Sequence, residues 1–114
     1  MPRQRQAGEG MSVISVYAVF ANVEEAERIG RAMVEERLAA CINILGPVRS
    51  IYRWQGAIES ADEVAAILKT TAEAANALIA RIAALHSYDV PCIVTWPVDK
   101  LLAGYSAWVE DSTR

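Results

Sequence analysis

Three side chains able to bind a metal fall within one short stretch, His86-Ser-Tyr-Asp89-Val-Pro-Cys92. The His-x-x-Asp-x-x-Cys spacing offers nitrogen, oxygen and sulfur donors together, and such a mixed set favours copper over other divalent ions because affinity follows the Irving–Williams order. His86 is the sole histidine and lies in phase with Leu78 and Ile82 at a predicted helix end. A packed, hydrogen-bonded core histidine is the commoner use of such a position, and a metal ligand or pocket-lining group is the alternative. A second set is Glu63 and Lys69, which share a strand face, followed by Thr70-Thr71 at a helix start where free N–H groups attract anions. A small carboxylate or phosphate would suit Lys69 and Thr71, although no Gly-rich loop supports a nucleotide.

Cys41, between Ala40 and Ile42, reads as a small buried hydrophobe. With only two cysteines, Cys41 and Cys92, and ample aliphatic content, no disulfide staple is needed, and reduced thiols in the cytoplasm are expected. Catalytic signatures are absent: no zinc helix of the His-Glu-x-x-His type, no nucleophile elbow, no P-loop. The expectation is a binding protein rather than an enzyme.

The element that must position these groups is a ribbon from Val48 to Thr71, folded at Gln55-Gly56. Val48, Ser50, Tyr52 and Trp54 alternate with Arg49, Ile51 and Arg53, the period of a strand, and Gly56 supplies the positive φ that a two-residue hairpin loop needs. An unbroken second arm from Ala57 to Thr71 would reach roughly 45 to 50 Å, whereas a compact chain of this size is about 35 Å across. The tip should protrude. Tyr52, Trp54 and Ile58 would then stand in water, which implies a partner, most simply another copy of the chain. Tyr52, Arg53, Trp54 and Trp108 are the expected interface residues.

Residues 1–10 are polar and glycine-containing, with no apolar core of a secretory signal, and are expected to be a disordered tail; Met11 is an alternative start. The remainder, 11–114, reads as one domain. A β-branched run from Ser12 to Phe20 suits a buried central strand. Asn22 and Glu25 form a capping-box variant opening a helix that buries Ala26, Ile29, Gly30 and Met33 and places Arg37 near its negative end. Cys41 begins a second strand with a bulge at Gly46-Pro47. Thr70-Thr-Ala-Glu73 reads as a capping box for a second helix running to about His86. Cys92 to Trp96 forms a fourth strand, which Pro97 ends or pushes to an edge, and a third helix spans about Leu101 to Glu110. Strand, helix, strand, strand, helix, strand is the α+β, ferredoxin-like βαββαβ plan, with a long central hairpin and a C-terminal helix. Both main helices fall on one sheet face, so the other needs a cover.

The totals narrow the partners. A net charge of −3 gives no broad positive field for nucleic acid, and a chain that is 54% hydrophobic without a spanning apolar run is globular rather than membrane-embedded.

Several spaced motifs together resemble the CutA family of divalent-cation tolerance proteins: Ala40-Cys-Ile-Asn43, Ser50-Ile-Tyr-Arg-Trp-Gln-Gly56, Ile67-Leu-Lys-Thr-Thr71, Leu85-His-Ser-Tyr-Asp-Val-Pro91 and Tyr105-Ser-Ala-Trp108. The likeness covers about residues 12 to 111. It implies a ferredoxin-like fold, a homotrimer joined through hairpin and sheet edges, and a link to tolerance of copper and other divalent metals. It also implies an architectural likeness to PII signalling proteins, which hold small anionic effectors between subunits. Family members often carry Pro and an acidic residue where this chain has Ser87 and Cys92. Of the copper ligands proposed for some members, a first-strand cysteine and a doubled histidine, only His86 is present, with Ala18 and Leu85 at the other positions.

The leading expectation is therefore a homotrimer binding a divalent cation such as Cu(II), none being obligatory, in a pocket with His86, Tyr88, Glu63 and Lys69. The alternatives are a PII-like trimer with a small anionic effector, and a structural trimer whose metal binding is incidental.

Overall fold

The computed structural model describes residues 12–114, so the expected tail over residues 1–10 and the alternative start at Met11 lie outside the described residues. The elements run β1 (Val13–Phe20), α1 (Val23–Glu35), β2 (Cys41–Trp54), β3 (Ala57–Thr71), α2 (Ala72–Leu85), β4 (Ile93–Pro97) and α3 (Ala103–Ser112). The four strands form one sheet in the order β2-β3-β1-β4, every neighbouring pair antiparallel. The expected α+β, ferredoxin-like plan is what forms.

Alternation along the strands divides the sheet into two unlike faces. On one, Val16, Ala18 and Phe20 of β1 and Ala66 and Leu68 of β3 pack with Ala26, Ile29 and Met33 of α1 and Leu78 and Ile82 of α2. All of these are completely buried. At Gly30 the helix backbone comes so close to β2 that an added Cβ would lie 2.6 Å from Ile42 Cδ1 and 2.9 Å from its Cγ2. Gly30→Ala is therefore expected to lower stability by about 1 to 2 kcal/mol, overpacking of about 1–3 kcal/mol outweighing the gain of about 1 kcal/mol in helix propensity. A urea midpoint at or above that of the parent chain would contradict this.

On the other face, only the far end is covered. There α3 sets Val109 against Val13 and Ala40, with Val98 and Tyr105 alongside. The middle stays open. Tyr17 stacks on Trp96 at 6.2 Å, and Val94 and Trp96 remain 48% and 44% exposed.

The hairpin has the expected reach. Both central residues of its turn have positive φ, Gln55 at 49° and Gly56 at 83°, so the loop matches the twist of the strands. The register shifts between Ile44 and Gly46, and Gly46, at φ 114°, absorbs the bulge. The molecule is 60 Å long against 25 and 22 Å in the other directions, and Ala57 to Ser60 at the tip are all exposed.

Four local expectations change. The second helix is capped by Thr71, whose hydroxyl accepts from the Ala74 N–H, while Thr70 remains in β3 and donates to the Leu38 carbonyl. Glu73 is thus one position too early to close a reciprocal box. Arg37 lies beyond the end of α1, at φ 61°, and serves another helix: its guanidinium donates to the carbonyls of Asp111 and Arg114 at the end of α3. β4 begins at Ile93 rather than Cys92 and includes Pro97 instead of ending before it, while its edge position is one of the two expected. α3 begins at Ala103 rather than Leu101.

Candidate functional site

The outer half of the hairpin, the open end of β1 and the loop between α2 and β4 enclose a groove of about 780 Å3. Register explains who lines it. Ser50, Tyr52 and Trp54 of β2 pair with Ala61, Glu59 and Ala57 of β3, so they share a face with Glu59 and Glu63, and with Tyr17 and Val19 of β1. The loop adds Tyr88, Asp89, Val90 and Cys92.

The loop is anchored from behind by His86. Its side chain is fully buried, with the ring stacked on Phe20 at 5.3 Å. Nδ1 accepts the Tyr88 N–H at 3.0 Å, which leaves the proton on Nε2, 2.8 Å from the Val19 carbonyl that it serves. Both nitrogens are thus committed inside the fold, and the packed reading of His86 is the one observed.

Glu25 closes the same junction. Its carboxylate, 5% exposed, accepts the Ala21 N–H at 3.0 Å and the Ser87 N–H at 2.9 Å, and lies 3.9 Å from His86 Nε2. Asn22 accepts from the Glu25 N–H, so the capping pair expected at α1 also ties that helix to the loop. Burial pushes the Glu25 carboxyl up, but the hydrogen bonds from the Ala21 and Ser87 backbone outweigh it, holding it below the ordinary 4.5. Its folded value being depressed, the stabilisation is present above the unfolded value and is lost as pH falls through the folded one. A Glu25→Gln variant should be less stable than the parent near neutral pH, with the difference shrinking as pH drops below about 4.5. Urea midpoints across pH 3 to 7 that stay a constant distance apart would refute this.

Inside the groove, the Tyr88 hydroxyl donates to Glu63 at 2.7 Å. Burial first, and the Glu63 carboxylate second, push the phenol up to about 12, so it stays a donor. Glu63 and Tyr88, expected in one pocket, are thus hydrogen-bonded to each other. Lys69 and Thr71 do not join it. Lys69 pairs with Ser15 and Cys41, six positions along β3 from Glu63, or roughly 20 Å. At Thr71 the helix start is already in use: the Ala72 N–H goes to the Ser12 carbonyl and the Ala74 N–H to the Thr71 hydroxyl.

The expected metal donors are likewise divided. Asp89 and Cys92 line the groove, whereas His86 is sealed behind it. Among the described residues no group of three or more His, Cys, Asp or Glu is placed to hold a metal ion. Both cysteines are free thiols; Cys41 Sγ lies 3.5 Å from the Tyr105 hydroxyl, under α3. Of the expected interface residues, Tyr52 and Trp54 face the groove, Arg53 points to the opposite face of the ribbon, and Trp108 stands 45% exposed on α3.

Tyr17, Glu59 and Val90 were not among the residues expected here. Glu59 and Glu63 sit four apart on one arm, which places them on one face, but only the register of β3 against β1 and β2 brings Tyr17 beside them.

The match to known proteins is broad. Residues 14–112 fit the model of the CutA1 divalent ion tolerance protein. The Divalent-cation tolerance protein CutA of Archaeoglobus fulgidus is 38% identical over 99 residues, covering 87% of this chain and 96% of that one. The chloroplastic Protein CutA of Arabidopsis thaliana is 32% identical over 112 residues, 98% of this chain but 62% of the longer relative. Among solved structures, CutA from Xylella fastidiosa superposes with a TM-score of 0.88 at 37% identity, over 90% of this chain and 99% of that one.

Proposed function

This chain belongs to the CutA1 divalent ion tolerance protein family, and from that premise we propose that it acts in metal-ion tolerance as a non-enzymatic homotrimer holding a divalent cation in its grooves. The observation that carries the reading is the exposed aromatic wall beside open donors. Trp96 and Val94 on the sheet and, further along the face, Tyr52 and Trp54 on the ribbon leave large apolar side chains in water, as a surface awaiting a partner would. Glu63, Asp89 and Cys92 lie along its edge.

One chain gathers too few donors for a closed site, so a second chain laid against the aromatic wall completes the coordination. An exposed thiol together with carboxylates favours Cu(II). The reading places the protein in the cytoplasm, where its unpaired thiols stay reduced. No helix among the described residues is long and apolar enough to cross a membrane. An anionic effector fits the groove less well, because its lining carries Glu59, Glu63 and Asp89 and no Lys or Arg.

Calorimetric titration of the metal-free protein with Cu(II) tests the reading. Cys92→Ser and Asp89→Asn should each weaken binding by about tenfold or more. Unchanged affinity and stoichiometry in both would remove the site.

A further inference from the structure

Among the described residues, the strands place just three charged side chains on the open face of the sheet: Glu59, Glu63 and Lys69, all from β3. Glu63 accepts from the Tyr88 hydroxyl. The other two have no hydrogen-bond or ion-pair partner among the described residues, and they cannot serve each other, because the extended chain between them holds them roughly 33 Å apart. Independently of these charges, Ser15 points to an absent group. It pairs with Lys69 on the same face, it is 4% exposed, and its hydroxyl makes no hydrogen bond to a described residue. Lys69 itself is half-buried. An ammonium and a hydroxyl thus stand side by side, both able to donate, without an acceptor.

The cover that this face needs decides what the acceptor is. Trp96, directly across from Ser15 on β4, is 44% exposed, and on the ribbon Tyr52 is directly across from Glu59 with Trp54 two residues further on. A copy that buries these rings therefore takes both charges out of water, and burial of either one unpaired is strongly unfavourable. Brought together they neutralise each other, and the Ser15 hydroxyl fills a further acceptor site of the carboxylate. A purely apolar cover would leave Lys69 stranded. A second copy carries the complementary group on the element that protrudes, at a ribbon tip exposed from Ala57 to Ser60.

We propose that Glu59 of one copy forms an ion pair with Lys69 of the next, with the Ser15 hydroxyl donating to the same carboxylate, and that this pair fixes where the ribbon lies on its neighbour. It rests on the homotrimer proposed above. Each copy gives its Glu59 to one neighbour and its Lys69 to the other, so three identical contacts close the ring. The rings supply the apolar part of the contact. The ion pair sets its register, because a ribbon displaced along the face would leave both charges covered and without a partner.

The test is subunit exchange between two differently labelled batches of the full-length protein, which reports dissociation even where association is tight. Glu59→Lys, at an exposed ribbon position where folding is not at risk, and Lys69→Glu should each speed exchange by about tenfold or more, or prevent assembly, since like charges then meet. Combined in one chain, the two reversals swap the ends of the pair, and exchange should return to within about threefold of the parent. Unaltered exchange in Glu59→Lys would overturn the proposal, as would a double variant that exchanges no more slowly than the faster of the single ones. Either result with a parent chain that assembles removes the ion pair alone. A parent chain that stays monomeric removes the pair together with the homotrimer.

Discussion

His86→Ala is expected to lower the unfolding free energy by about 3 to 5 kcal/mol, a large part of the roughly 5–15 kcal/mol that holds a domain together. Two costs add. The first is the cavity left where a fully buried ring stacked on Phe20, and the second is the loss of partners for the Tyr88 N–H and the Val19 carbonyl, both drawn into the junction. Tyr88→Phe provides the comparison. It deletes only the hydroxyl bond to Glu63 at a partly exposed site, so its stability should stay within about 0.5 kcal/mol of the parent chain. Urea denaturation reads both. A loss under about 1 kcal/mol for His86→Ala would show that the junction is not held by the ring. The same variant should also loosen the groove, because Tyr88 loses its backbone anchor; faster amide exchange at Tyr88 and Asp89 would report it.

Trp54→Ala should act on assembly rather than on the fold of one chain. The indole is 56% exposed in the protomer, near the end of a ribbon whose tip makes no use of the core, so its removal takes little from folding. In the homotrimer proposed above it is an aromatic anchor between subunits and should be worth about 2 to 4 kcal/mol, a weakening of association of roughly 30- to 1,000-fold. Mass measured against concentration should therefore show the variant dissociating where the parent chain remains assembled. An unchanged oligomer with a lowered unfolding midpoint would place Trp54 in folding instead.

The parts that were legible in the sequence are those where a local pattern meets no competitor. The β-branched run of β1, the Asn22–Glu25 cap and the Gln55-Gly56 turn each depend on neighbours a few residues away, and each formed where expected. The second cap was displaced by one residue because Thr70 is drawn to the Leu38 carbonyl across the fold, a pull no local motif records. Arg37 is similar: its charge suits a helix C-terminus, but the helix end it meets is that of α3, more than seventy residues away in the chain.

The site divides along the same line. Tyr88 and Glu63 were expected in one pocket and are hydrogen-bonded, and Asp89 and Cys92 share their groove. His86 was ambiguous by type and position, since a histidine following an apolar helix face can turn either way. Its direction is decided by the Val19 carbonyl, which reaches the ring only after β1 has paired with β3 and β4. Lys69 and Thr71 belong to the same strand as Glu59 and Glu63 yet lie at its far end, because an extended chain moves about 3.3 Å with every residue.

The exposed face and ribbon should be shared between copies, and sedimentation equilibrium at micromolar concentration measures this directly. A single species at three times the 12.4 kDa chain mass is the predicted result. A folded species of 12.4 kDa that neither self-associates nor hides Tyr52 and Trp54 from solvent would contradict it.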